Sequence, residues 1–299
     1  MKKVILITGA NGMLAQHLGK CLAPDYALRF LTRQVMQSNE YLWNIEQRYI
    51  DPKALTGVHG IIHLAGSPIA NRRWTKRTKQ AILSSRVTSA QLILNELIKQ
   101  NQRIDSFISA SATGFYGTIT SNAILTEDSP RGNDFLSDVC QQWEEVAHAF
   151  KTKTIANNVS IVRLGVILSK DDGILNKLVP LIKYGLGSGI GTGKQFIPWI
   201  HIEDLSNIFK FLLVNSELSG TYNAVSPEHA TNKMLMKKIA KQLNRKIILP
   251  NIPEIVLRWV FGEAVVVLTK GSRVSSNKLI QRGFIFKFKD LDSALKTIL

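Results

Sequence analysis

A chain of 299 residues, 45% apolar and 20% charged, can build one large domain or two ordinary ones around a substantial core, which excludes a disordered chain or a polytopic membrane protein. Two cysteines, Cys21 and Cys140, are too few for a disulfide framework or a zinc–thiolate site, and they suit a reduced cytoplasm. The net charge is +16, and residues 230–299 alone hold 14 basic and four acidic side chains, but without a dense Lys/Arg block interleaved with aromatics; small anionic ligands, rather than nucleic acid or a membrane surface, are the expected partners.

The first elements follow a simple alternation. After Met1-Lys2-Lys3, the apolar run Val4–Thr8 stops too soon for a signal-peptide core and reads as a buried strand. A helical pattern passes through Leu14, Leu18, Cys21 and Leu22. Ala27–Thr32 and Gly60–Leu64 are the next strands, and one long helix is expected from Ile82 to Ile98. Strands at Ser106–Ser111 and Ser160–Leu164 flank a helix at Asp138–Lys151. Short apolar strands alternating with helices predict an α/β fold, a doubly wound parallel sheet.

Beyond Leu168 the pattern changes. The glycine-rich stretch from Gly185 to Gly193 lacks the Lys-Ser/Thr of a nucleoside-triphosphate loop and is expected to be a lid over the substrate. Apolar segments return at Ile200–Val214 and Gly220–Val225, followed by a helix at Met234–Leu243. Residues 255–268 are apolar but interrupted by Arg258, Gly262 and Glu263; they are too short to span a bilayer and read as a buried helix of a small domain. The expected division is a dinucleotide-binding domain at 1–230, with 169–198 on its substrate side, and a small basic unit at 247–299.

The motif richest in chemistry is Thr8-Gly9-Ala10-Asn11-Gly12-Met13-Leu14-Ala15, between the first strand and the first helix. The first glycine permits a tight turn, the second lets backbone approach a pyrophosphate, and Ala15 lets the helix pack on the sheet. The second strand ends at Thr32-Arg33, where an NAD site usually carries an acid for the ribose 2′-hydroxyl. A basic residue there suits a 2′-phosphate, so NADP(H) is the expected cofactor, with NAD(H) as the alternative. Arg72 and Trp74 follow the third strand and suit an anionic or planar substrate, Arg86 lies on the next helix, and Trp199 and His201 fall on the predicted substrate side. The six histidines show no metal-ligand spacing, and no Gly-x-Ser-x-Gly elbow occurs, so neither a metal site nor an α/β-hydrolase is expected.

Taken together, Thr-Gly-x-x-Gly-x-x-Ala at the start, His63-Leu64-Ala65-Gly66, Ser109 through Gly117, and Trp199-Ile-His201-Ile-Glu-Asp204 resemble the extended short-chain dehydrogenase/reductases, the NAD-dependent epimerase/dehydratase group. More narrowly, with Arg72-Arg73-Trp74, Ser85-Arg86-Val87, Trp143-Glu144 and Gly283-Phe284, the chain is similar to an atypical branch of "epimerase family" proteins, predicted nucleoside-diphosphate-sugar epimerases with their own C-terminal domain. The resemblance implies that Gly9, Asn11, Gly12, Met13 and Leu14 line the dinucleotide loop. It puts Thr32 and Arg33 at the adenosine ribose or its phosphate, and Leu64, Ala65 and Gly66 on the adenosine side. Ser109, Ala110, Arg163 and Gly165 would stand by the nicotinamide, with Arg86 facing the same cleft. Helices flanking the sheet often pair in relatives, which leaves a homodimer open.

One departure matters. The wider superfamily works with a Ser/Thr and a Tyr-x-x-x-Lys pair on one helix face. Here Leu136 and Cys140 occupy the places of that pair, and Tyr116 is followed four residues later by Thr120. Ser111 and Tyr116 remain as candidate catalytic residues, with Asp134, Asp138 and Cys140 nearby. The expected function is an NADP(H)-binding oxidoreductase or epimerase acting on a small, anionic or nucleotide-linked substrate. The alternative is a non-catalytic NADP(H)-binding sensory or scaffold protein.

Overall fold

The computed structural model describes residues 2–70, 73–170 and 172–299. An eight-stranded sheet forms its centre, in the order Gly220–Ala224, Ala156–Leu164, Ile104–Ala112, Gly60–His63, Val4–Thr8, Ala27–Thr32, Glu40–Asn44, Tyr49–Ile50. All neighbouring pairs are parallel except the last. The chain first builds outward from Val4–Thr8 in one direction and then crosses to the other side, so the strand order reverses between Val4–Thr8 and Gly60–His63. In such sheets ligands bind beyond the carboxyl ends of the strands at that reversal.

Side-chain alternation along the strands divides the core into two layers. Ile5, Ile7, Ile62, Ile108 and Val162 pack with helices Met13–Leu22 and Ile202–Val214 on one face. Leu6, Ile61, Phe107 and Ile161 meet helices Val87–Lys99 and Phe135–Thr152 on the other, where Phe107 stacks on Phe150. A third cluster holds Leu168, Ile182, Trp199, Leu235, Ile239, Leu291 and Leu295, contributed by the segments that follow the Ala156–Leu164 strand. The C-terminal residues join two of these clusters. Phe284 and Phe286 pack against the main sheet, Leu291 and Leu295 into the third cluster, and the Asp204 carboxylate accepts the backbone N–H groups of Lys287 and Phe288 between them.

Three expectations need correction. The single helix from Ile82 to Ile98 is two, Lys76–Ser84 and Val87–Lys99. It breaks because the side chains at the joint bond sideways: Ser85 Oγ accepts from Ser67 N, and Arg86 donates to Ser67 O. Residues 255–268 are not a buried helix. Helix Glu254–Phe261 leaves Ile255, Trp259 and Val260 largely exposed, with only Leu257 buried, and Gly262, at φ +59°, turns the chain so that Ala264 and Val265 go inward instead. The 185–193 loop, expected as a flexible lid, does line the cleft at the strand-order reversal through Ile190 but is held by its neighbours: Ile190 N donates to Asn232 Oδ1 and Gly191 N to Ile252 O. Among the described residues no helix is long and apolar enough to cross a membrane.

Candidate active site

The cleft at the strand-order reversal has a volume of about 660 Å³ and is lined by the glycine loop, the 64–70 segment, the end of Ile104–Ala112 and one face of helix Phe135–Thr152. The loop is built as its spacing predicts. Gly9 sits at φ +75°, and a Cβ there would lie 3.3 Å from Leu64 O. Gly12 N donates to Gly9 O at 2.8 Å, closing the turn. Gly12 is also the N-cap of helix Met13–Leu22, which has neither a side-chain cap nor an acid in its first turn. Its leading N–H groups and the positive end of the helix therefore face the cleft uncompensated, which suits a phosphate. Met13 and Leu14 line the cleft, Asn11 is exposed above the loop, and Ala15 is buried against the sheet.

A buried network fixes the opposite lip. Thr8 Oγ1 accepts from the backbone N–H groups of both Leu64 and Ala65, so its own hydrogen goes to His63 Nδ1. The His63 proton must then sit on Nε2, where Arg86 O is the acceptor. Burial pushes His63 down to about 4, so the ring stays neutral. The first strand thus holds the Leu64, Ala65 and Gly66 backbone in place. Thr32 is buried, with its hydroxyl turned to Gln34 O, whereas Arg33 is exposed and makes no hydrogen bond or ion pair among the described residues.

At the other end a chain of buried polar groups begins at Ser111. Its hydroxyl donates to Glu144 Oε1 at 2.6 Å, and the Glu144 carboxylate takes a forked pair from Arg163, through Nε and Nη2, both at 2.9 Å. Arg163 Nη1 donates to the Tyr116 oxygen at 3.0 Å, and Tyr116 in turn donates to Asn223 Oδ1 at 2.7 Å. The guanidinium also lies over the Phe115 ring. Burial works against the charge on Arg163, but Glu144 outweighs it and holds the group above its ordinary value. Burial pushes the Tyr116 phenol up to about 12, against the pull of Arg163. Burial, reinforced by Glu144, pushes the Cys140 thiol up to about 12, so it is protonated at neutral pH.

Local sequence explains this arrangement. Asp134 caps helix Phe135–Thr152 in a reciprocal box with Ser137 and also accepts from Thr118 N and Oγ1, fastening the Tyr116-Gly117 turn to the helix. Gly117 and Gly132 pass so closely that a Cβ on Gly132 would stand 2.5 Å from Gly117 Cα. From that start Leu136, Cys140 and Glu144, four residues apart, fall on one helix face. Leu136 and Cys140 line the cleft. Glu144 and Asn223 are the members of the network that sequence reasoning missed. The signal for Glu144 was an acid in register with Leu136 and Cys140 on the same helix face.

The other candidates are more dispersed. Ser109 is buried with its hydroxyl on Ala110 O, and Ala110 lines the cleft. Gly165 lines it too, at a crossing where a Cβ would sit 2.7 Å from Pro198 O. Trp74 lies in an adjoining cavity of about 450 Å³, its ring edge-on to Phe135 and its N–H on Ile69 O. Arg72 lies outside the described residues. Trp199 and His201, expected on the substrate side, line neither cavity. Trp199 is fully buried with its N–H on Glu228 O. His201 is the N-cap of helix Ile202–Val214, accepting from Glu203 N, and its ring lies against Phe288. Among the described residues no cluster of three His, Cys, Asp or Glu side chains is placed to hold a metal.

Residues 5–225 match the model of the NAD dependent epimerase/dehydratase family. The chain belongs to the NAD-dependent epimerase/dehydratase family. Residues 252–298 match a second model, described as a domain of unknown function. An epimerase family protein of Mycobacterium bovis is 32% identical over 98% of this chain and 96% of its own. A chloroplastic SDR39U1 homologue of Arabidopsis thaliana is 30% identical over 99% of this chain and 86% of its own. Among solved structures, the human epimerase family protein SDR39U1 (isoform 2), determined with NADPH, superposes with a TM-score of 0.87 at 28% identity, covering 99% of this chain and 98% of that one. The α/β architecture with its parallel sheet is thus that of the family.

Proposed function

We propose that the chain is an NADP(H)-binding oxidoreductase or epimerase of the atypical short-chain dehydrogenase/reductase type, acting on a small anionic or nucleotide-linked substrate. The observation that carries this reading is the opening of the uncapped, glycine-led helix Met13–Leu22 onto the same cleft as Ser111. Those residues fit a dinucleotide: a positive φ at Gly9, free leading N–H groups for the pyrophosphate, and an unengaged Arg33 beyond the second strand for a 2′-phosphate. The human relative solved with NADPH supports the same cofactor. When bound, the nicotinamide supplies or accepts a hydride.

The chain's own residues set the proton chemistry. Because the Ser111 hydrogen is committed to Glu144, its oxygen offers lone pairs to a reacting group and best accepts from a substrate hydroxyl. As that hydroxyl becomes a carbonyl, its proton passes to Ser111 Oγ while the Ser111 proton moves to Glu144. Reduction runs the same path backwards. Arg163 holds the carboxylate in place, and Tyr116, with its phenol high and donating to Asn223, positions Arg163.

The reading is tested by titrating the purified protein with NADPH and NADH and following nicotinamide fluorescence. Saturable binding with an NADPH preference is expected; binding of neither would overturn it. Arg33→Asp should weaken NADPH about tenfold or more, the scale of a charge-assisted hydrogen bond, and NADH much less. Equal losses would remove the 2′-phosphate role. A second reading, a non-catalytic NADP(H)-binding sensor or scaffold, is favoured by Leu136 and Cys140 standing in place of the usual Tyr and Lys. Exchange of labelled hydride between NADPH and candidate carbonyls separates the two.

A further inference from the structure

The cleft contains a buried cation that pairs with no anion among the described residues. Arg86 is 8% exposed and lines the cleft beside Gly66. Its Nη1 donates to Ile82 O and, at 3.4 Å, to Ser85 Oγ, and its Nη2 donates to Ser67 O; all three acceptors are neutral. Among the described residues its Nε makes no hydrogen bond and no carboxylate pairs with it. Arg163, also buried, has Glu144 instead. Burial lowers Arg86 only to about 10, so it is charged at neutral pH. A buried charge held by neutral oxygens alone is costly to keep and is most useful where a ligand completes it.

A second, independent observation falls at the same place. Trp143 also lines the cleft, with the Arg86 guanidinium 5.4 Å from its ring centre, and its indole N–H is buried without a hydrogen-bond partner among the described residues. Buried donors are satisfied with few exceptions, and an orphan beside an unpaired cation asks for an acceptor. Gly66 is part of the arrangement: a Cβ there would lie 2.9 Å from the guanidinium carbon. Trp143 and Cys140 belong to the same helix as Glu144, which places this spot next to the Ser111 end of the cleft.

We infer that Arg86 and the Trp143 N–H form a binding site for an oxyanion, a phosphate or carboxylate, on the wall of the cleft. The inference rests on the proposed function only in taking the cleft as the ligand site. Two sources share that chemistry: an oxygen of the dinucleotide's own pyrophosphate, or an anionic group of the substrate.

Inorganic phosphate, with chloride at matched ionic strength as the control, is the first probe, and the thermal midpoint is the readout. Phosphate should raise the midpoint of the wild type and leave Arg86→Met unmoved. Arg86→Lys, which keeps a charge, should respond in part, and Trp143→Phe, which keeps the ring and loses the donor, should respond several-fold more weakly. If saturating NADPH abolishes the phosphate response and Arg86→Met weakens NADPH about tenfold, the oxyanion is the cofactor's. If the response survives NADPH and the variant binds NADPH as the wild type does, it is the substrate's. Should the protein bind no NADPH at all, an Arg86-dependent phosphate response would still uphold this site while the cofactor reading failed. Equal phosphate responses in the wild type and the folded Arg86→Met and Arg86→Lys variants, with NADPH affinity unchanged, would overturn the inference.

Discussion

Glu144→Leu should cost about 3–5 kcal/mol of folding stability, the range for removing one partner of a buried ion pair. The side chains of Glu144 and Arg163 are only 7% and 5% exposed, and they are joined by two hydrogen bonds of 2.9 Å. Without the carboxylate, the Arg163 charge is left with the Tyr116 oxygen and Glu127 O as acceptors and the Phe115 ring as a neighbour. Removing both charges avoids that penalty, so Glu144→Leu combined with Arg163→Met should recover most of the loss. Urea unfolding of the two single variants and the double variant forms a thermodynamic cycle. A double variant as unstable as the sum of the singles would show that the pair is not coupled. Arg163→Met alone should also release Tyr116, whose phenol would then rise further because burial would act unopposed by the guanidinium.

The same residues show what a sequence can and cannot disclose. The strand Val4–Thr8, the loop after it and the helix Met13–Leu22 were legible because each rests on a local rule: an apolar run, glycines at fixed spacing, and a 3.6-residue period. The loss of the Tyr-x-x-x-Lys pair was legible for the same reason, since four residues always return to one helix face. Strands Glu40–Asn44 and Tyr49–Ile50, the last two at one end of the sheet, were not, because they bury little, chiefly Trp43 and Ile50, and so leave almost no apolar pattern. The joint between Ser84 and Val87 was hidden because side-chain bonds to Ser67, nearly twenty residues away in sequence, override a continuous helical period. His201 and Trp199 looked like site residues from their neighbours in the chain, but tertiary packing turned them into the third cluster. Glu144 left only its register with Leu136 and Cys140 as a signal, because its partners Arg163 and Ser111 are brought to it by strands distant in sequence. Helix Glu254–Phe261 misled in the opposite sense: composition marked Ile255, Trp259 and Val260 for burial, yet the fold leaves them exposed.

Mild acid should destabilise the protein well before its carboxylates titrate. Burial holds His63 and His201 at about 4, against an ordinary value near 6.5. Above pH 6.5 both rings are neutral in the folded and unfolded chains, and the full stability is present. Between about pH 6.5 and 4 the unfolded chain takes up protons that the folded chain refuses, so stability falls as pH falls, by roughly 3 kcal/mol for each histidine at 1.36 kcal/mol per unit. His229, lowered by burial, acts in the same direction. Asp204, raised by burial, acts in the opposite one over the upper part of the carboxylate range. Asp134 and Asp290, lowered in the folded chain, withdraw their contributions only at more acid pH. His201→Asn separates the terms. Asparagine keeps a side-chain oxygen for Glu203 N at the helix N-cap but cannot titrate, so urea unfolding of this variant should lose about half as much stability over the same window. An acid slope identical to the wild type would mean that His201 is free to protonate in the folded state. His63 carries the remainder, and its protonation would also break the hydrogen bond from Thr8, loosening the Leu64-Ala65-Gly66 lip that lines the cleft. Affinity of the folded protein for NADPH should therefore hold through that window and decline only near pH 4, where His63 itself takes up a proton.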